Sequence, residues 1–153
     1  MIERLPVGVR RAGYRVVHAL LVVGSQALRP HTRGVKCVLV RDGEALLVRH
    51  AYGRRHWDAP GGFVRRSEDF ETAARRELRE ELGVTGGRFT DLGERRRRSH
   101  GRHDTIRVFR VDVDSRDVTA EPAEIAEARW FPVGALPDDR SDLLDAALVA
   151  ALA

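Results

Sequence analysis

The chain has 153 residues, 42% of them hydrophobic, with 27 basic against 23 acidic side chains and a formal charge of +4. That length and composition fit one compact domain with its own core and exclude a repeat or low-complexity architecture. The lone Cys37 excludes an intramolecular disulfide and points to a reducing compartment, the cytoplasm by default. The positive balance admits polyanionic partners such as nucleotides, nucleic acid or an acidic membrane without choosing among them.

Residues 1–33 are expected to form an N-terminal amphipathic helix and lead-in. Arg10, Arg11 and Arg15 precede the apolar run VVHALLVVG, and Ser25-Gln26-Ala27 could pass for a small-residue cleavage site, so a secretory signal is one reading. The run is too short for a transmembrane span and contains His18. The favoured reading is a helix from about Arg11 to Leu28, with Tyr14, Val17, Leu21 and Leu28 on one stripe and Arg15, Ser25 and Arg29 away from it. Such a helix would pack on the domain, on a second copy in a homodimer, or on a membrane surface.

Residues 34–153 then form the domain proper. VKCVLVRDGEALLVRH reads as two β-rich runs around Asp42-Gly43, a strong hairpin signal, with the first run apolar on both faces and so inside a sheet. AYGRRHWDAPGG is a loop punctuated by Gly53 and Pro60-Gly61-Gly62, and FVRR a short strand. Ser67 is the expected N-cap of a helix of about four turns, with Glu68, Asp69 and Glu71 near its positive end and Gly83 as its left-handed stop. GRFTDLGERRRR and DTIRVFRVDVD follow as strands separated by a basic loop, AEARWFPV as another short strand, and SDLLDAALVAALA as a Ser-capped helix. Hairpins rather than regular βαβ units predict an α+β fold or an αβα sandwich.

One feature of the first helix defies its expected role. At 3.6 residues per turn, Phe70, Ala74, Glu77, Leu78 and Glu81 share one side, and Glu77, Glu80 and Glu81 converge over an arc of about 100°. Like charges at that spacing repel, and partial burial is far more costly unless a cation is present. A solvated face paired by Arg75, Arg76 and Arg79 is the ordinary explanation. The glycine turn before three converging carboxylates favours a hard cation instead, Mg2+ or Mn2+, whose remaining positions go to water and substrate phosphate.

The pattern of Gly62, five residues, Glu68, seven residues, then Arg76-Glu77-Leu78-Arg79-Glu80-Glu81-Leu82-Gly83-Val84 resembles a complete Nudix box. The β-rich runs before it and EIAEARWFPVGALP after it are similar to the same family. What the resemblance implies is a mixed sheet between helices and hydrolysis of a diphosphate bond by water attack on phosphorus. By similarity, Glu77 and Glu81 are the main metal ligands, Glu80 shares the load, and the carbonyl of Gly61 or Gly62 helps. Arg76 holds a carboxylate in place, and Glu68 supports it. The general base is a box glutamate or a later one: Glu124 matches the later position, with Glu121 and Glu127 competing.

Other signals bear on the substrate. Arg95 to Arg98, with His100, Arg102 and His103 in one loop, suit phosphates or a nucleic-acid backbone, or else form a solvated basic loop. Trp57, beside Arg54, Arg55 and His56, is either a stacking platform for a base or an anchor for its loop. The histidines lack a zinc-ligand spacing, and Cys37 reads as packing. Downstream marks of ADP-ribose or dinucleoside polyphosphate hydrolases are replaced by His100 and Gly101-Arg102, and the mark of coenzyme A hydrolases is missing. The expectation is therefore a Mg2+-dependent hydrolase of a nucleoside di- or triphosphate derivative. Catalysis is expected from Arg76, Glu77, Glu80 and Glu124, metal ligation from Gly61, Glu77, Glu80 and Glu81, and substrate contact from Arg54, Trp57, Arg98 and Arg102. Its alternatives are an RNA 5′-pyrophosphohydrolase and a non-catalytic nucleotide-sensing module.

Overall fold

The computed structural model describes residues 31–53, 55–99 and 102–153, so the expected helix over residues 11–28 lies outside the described residues. Strands β1 (His31–Arg41) and β2 (Glu44–His50) form the hairpin announced by Asp42-Gly43. Both turn residues take positive φ, 48° and 76°, the conformation a two-residue hairpin turn needs to match strand twist. Helix α1 (Phe70–Leu82) follows, then β3 (Arg88–Ser99), β4 (Arg102–Asp112), β5 (Ile125–Pro132) and α2 (Asp142–Leu152).

The five strands make one mixed sheet in the order β3-β4-β1-β2-β5, with β1 parallel to β4 and every other pair antiparallel. Because side chains alternate along β1, Val35, Cys37 and Leu39 face one way and Val38 and Val40 the other, which explains an apolar run with no polar face. The first set packs with Leu46, Val48, Phe109 and Val111 against Ala73, Ala74, Leu78 and Leu82 of α1. The second packs with Ala45, Leu47 and Val108 against Leu144, Ala147, Leu148 and Ala151 of α2. An αβα sandwich with two cores results, the expected fold class.

Four details differ from the sequence reading. β1 starts at His31, earlier than the apolar run, because residues 31–34 pair with residues 103–106 of β4. The FVRR segment is not a strand: Gly61, at φ 143°, interrupts the extended chain, and Phe63 makes an isolated bridge to Gly34. Asp69 rather than Ser67 caps α1, accepting from the Thr72 backbone N–H at 2.8 Å. Ser67 sits in a turn closed by Glu68 N–H donating to the Arg65 carbonyl, which keeps Glu68 outside the helix and turns its carboxylate inward. Finally, Arg95–Arg98, which the sequence reading set both at the end of the strand GRFTDLGERRRR and in a basic loop, are strand, paired with His103–Ile106 at the edge of the sheet. An unbroken arginine run has no alternation to announce a strand, yet a charged edge is how sheets resist further pairing.

Candidate functional site

The convergence of carboxylates begins with α1 rolled so that Arg76, Glu77 and Glu81 are buried beside the alanines and leucines that meet the sheet. Glu81 is 2% exposed and Glu77 and Arg76 are buried with it. Two glycines make the approach possible. A side chain at Gly62 would place its Cβ 2.6 Å from the Glu77 carboxylate, and one at Gly61 would strike the Val35 backbone. Gly61 in turn donates its N–H to Glu81 Oε2 at 2.9 Å, so loop and helix are joined through a buried carboxylate. The Gly62 carbonyl accepts from Val35 N–H at 2.9 Å, fixing the glycine turn along the stretch of β1 that precedes its pairing with β2.

Arg76 organises the other carboxylates. Its Nε and Nη2 form a fork on Glu68 at 2.7 and 2.9 Å, Nη2 also reaches the Phe63 carbonyl at 2.9 Å, and Nη1 donates to Glu77 Oε1 at 2.6 Å and Glu80 Oε2 at 3.1 Å. Planar, always charged and multiply donating, a guanidinium suits this position where an ammonium would not. The hydrogen bonds from Arg76 hold Glu68 down to about 2.

Glu77 and Glu81 respond differently. Burial pushes Glu81 up to about 8, and the charges of Glu77 and Glu124 add to this against the opposing pull of Lys36 and the Gly61 N–H. Burial likewise raises Glu77, opposed by Arg76 and reinforced by Glu80 and Glu124. Glu80 is 41% exposed and reaches solvent. Of the later acids, Glu127 pairs with Arg49 and Arg129 and Glu121 accepts from the Ala123 N–H, whereas the charge of Glu124 bears on both Glu77 and Glu81. The loop ahead of β5 is tied down beside the site, Glu121 N–H donating to the Glu81 carbonyl and Ala51 N–H to the Glu124 carbonyl.

Among the described residues no three carboxylate, imidazole or thiolate groups already surround one ion-sized point, and Arg76 Nη1 bridges Glu77 and Glu80. The donor set still fits a hard divalent cation. Buried carboxylates outnumber the cations that face them, Glu81 resists ionisation without added positive charge, and all the donors are oxygens.

The residues expected to touch substrate are dispersed. Trp57, 3% exposed, lies in the α2-side core, edge-on to Phe131, with the Arg49 guanidinium 4.5 Å from its ring centre. Both roles were open in the sequence; a ring so enclosed anchors its loop and has no face left for a base. Arg98 stands at the far end of β3 opposite His103. Arg54 and the side chain of Arg102 lie outside the described residues.

Sequence reading missed Lys36 and Asp58. Lys36 Nζ contacts Asp58 Oδ2 at 2.8 Å and the Ala59 carbonyl at 2.9 Å, while Ser141 Oγ donates to Asp58 Oδ1 at 3.0 Å. Burial alone would raise Asp58, yet the charge and hydrogen bond of Lys36 and the bonds from Ser141 and Ala59 leave it below its ordinary value. The available signal was a lysine inside an otherwise apolar strand. His50, which the sequence reading weighed only as a zinc ligand, has its Nδ1 3.9 Å from Glu81 Oε1.

A family model described as NUDIX domain matches residues 30–152. The oxidized purine nucleoside triphosphate hydrolase of Danio rerio is 33% identical over 106 residues, which cover 65% of this chain and 65% of that protein. The NAD-capped RNA hydrolase NudC of Chromobacterium violaceum is 30% identical over 115 residues, covering 73% of this chain and 42% of that protein. The chain thus spans just under two thirds and under half of these two relatives. A crystal structure of a MutT NUDIX hydrolase from Burkholderia pseudomallei superposes with a TM-score of 0.72 at 29% identity, over 78% of this chain and 97% of that one.

Proposed function

This chain belongs to the Nudix hydrolase family, and from that premise we propose that it hydrolyses a diphosphate bond in a nucleoside di- or triphosphate derivative, using Mg2+ or Mn2+. The observation that carries this reading is the buried pair Glu77 and Glu81, held by Arg76 and the Gly61 N–H at the glycine turn. A divalent cation on such carboxylates neutralises the substrate's phosphates and acidifies water. The protein's own part is positional. Arg76 fixes Glu77, and Gly61 fixes Glu81, so that little rearrangement is needed when substrate arrives. In the reaction, water oxygen bonds to phosphorus, the bond from phosphorus to the bridging oxygen breaks, and that oxygen leaves with the electron pair. The water proton passes to a carboxylate, for which we assign Glu80 or Glu124, the two acids beside the pair that are not themselves deeply buried.

The names of the two relatives make oxidized purine nucleoside triphosphates and NAD-capped RNA the first substrates to test. The single thiol, buried in β1, supports a reducing compartment such as the cytoplasm. Among the described residues no helix is long and apolar enough to cross a membrane.

The test is release of phosphate or pyrophosphate from a panel of nucleoside triphosphates, nucleotide sugars, dinucleotides and capped RNA, with Mg2+, with Mn2+ and with chelator. Turnover should require the cation, and Glu77→Gln should reduce it by more than the roughly 10–100-fold typical of residues one step removed from a metal. Turnover that survives both chelation and Glu77→Gln would place the chemistry elsewhere. No turnover anywhere, with ligand-dependent thermal stabilisation, would make the chain a nucleotide sensor.

A further inference from the structure

The arginines of β3 and β4 divide into two groups. From the start of β3 to its middle they are neutralised: Arg107 pairs with Asp91 and Glu94, and Arg110 and Arg88 with Asp112. Toward the end of β3, Arg96, Arg97 and Arg98 have no carboxylate partner among the described residues. They line a cavity of about 440 Å³ with His31, His103 and Thr105. Its acid, Asp104, accepts the hydroxyl hydrogen of Thr32. Register explains the cluster: His31 is opposite His103 across β1 and β4, and His103 is opposite Arg98 across β4 and β3. The two imidazole rings stack, with centres 5.3 Å apart and planes 27° apart.

We propose that this end of the sheet binds single-stranded nucleic acid, taking backbone phosphates on Arg96, Arg97 and Arg98 and a base against the stacked rings of His31 and His103. Charge alone would hold any polyanion, duplex or single strand, because it reads only phosphate. A flat aromatic pair beside the cations adds a surface for an unstacked base, which a duplex does not present. The volume falls in the range of about 300–1,000 Å³ that holds nucleotide-sized groups. Along β1 the cavity lies four residues, roughly 13 Å, from Val35, whose backbone abuts the Gly61 turn. A strand seated there would have one end within a few nucleotides of the carboxylates. That last step rests on the diphosphatase reading; the binding site does not.

Fluorescence anisotropy with a labelled 12-nucleotide RNA bearing a 5′-hydroxyl tests the site alone, since this probe has no diphosphate to cleave. The full-length protein should bind it at least tenfold more tightly than a 12-base-pair duplex. Arg96→Ser/Arg98→Ser should weaken binding tenfold or more and flatten the plot of log affinity against log salt by about 1.4, roughly 0.7 for each phosphate no longer neutralised. His31→Ala should weaken single-strand binding roughly tenfold and leave duplex binding unchanged. Both variants should melt within a few degrees of the wild type, as expected for exposed positions. Equal affinity for strand and duplex, or wild-type affinity in a folded double arginine variant, overturns the proposal. Hydrolysis of a free nucleoside triphosphate by the wild-type protein, measured separately, reports on the catalytic reading, so failure of either can be told from failure of the other.

Discussion

The two helices cover opposite faces of one sheet, begin with the same device and bury opposite chemistry. Asp69 caps α1 by accepting from Thr72 N–H, and Ser141 caps α2 by accepting from Leu144 N–H at 3.0 Å. Behind the cap, α2 buries Leu144, Ala147, Leu148 and Ala151, an apolar stripe of the ordinary kind. α1 buries alanines and leucines too, but sets Arg76, Glu77 and Glu81 among them. Removing carboxylates from water opposes folding unless every one is paired or hydrogen-bonded, so α1 holds groups that stability alone would not select. α2 stabilises the sheet, and α1 spends part of that stability on a charged site.

If this division is right, mutations on the two helices should separate activity from stability. The largest effect should come from Glu81→Gln. Gln keeps an oxygen for the Gly61 N–H but removes the charge a divalent cation would meet, so kcat/KM on the best substrate should fall by well over a hundredfold. In chelator, the same variant should melt at or above the wild-type temperature, because a neutral amide replaces a carboxylate held in a place hostile to its charge. Retained activity, or a variant that is simply less stable, would make Glu81 a structural residue and erase the contrast.

Leu144→Ala is the counterpart on α2. Leu144 is 1% exposed within the second core, and its truncation should lower stability by about 2–5 kcal/mol through reduced burial and the cavity left behind. Measured well below the melting temperature, kcat/KM per folded molecule should remain within about twofold of wild type, as for a mutation far from the site. Denaturant melts and steady-state kinetics on the same samples check both halves. A large fall in specific activity would mean that α2 positions the site as well as the sheet.

Legibility in the sequence followed the same division between local and distant causes. The Asp42-Gly43 hairpin, the Ser141 cap and the Gly83 stop depend on residues within a few positions, and each stands where the sequence placed it. The inward glutamates were legible because helical spacing is local geometry. Arg95–Arg98 were left between strand and loop because their strand is defined by partners in β4, not by their own pattern. The cap was misplaced because Ser67 and Asp69 have similar capping propensity; what decides is the distant Arg76, which draws Glu68 out of the first turn. Lys36 and Asp58, twenty-two positions apart, meet only once β1 and the loop before α1 are folded together.

The smallest predicted effect is a pH dependence whose sign differs from that of a common surface carboxylate. Glu81 titrates near 8 in the fold, above its ordinary 4.5. Between these values the folded chain binds more protons than the unfolded chain, so stability falls as pH rises. The contribution is complete below about 4.5 and gone above about 8. Glu68 has the opposite sign, its folded value near 2 meaning that its contribution is present above about 4.5 and lost toward pH 2. The interval from about pH 5 to 8 therefore isolates the buried end of α1 from the Arg76 fork. In chelator, the wild-type melting temperature should drop by a few degrees more across that interval than that of Glu81→Gln. Added Mg2+ should reverse the difference, because a cation that binds the ionised carboxylate stabilises the folded state more as pH rises. Parallel curves for the two proteins, with or without Mg2+, would show that Glu81 does not govern the titration and that the charge buried by α1 is balanced within the protein.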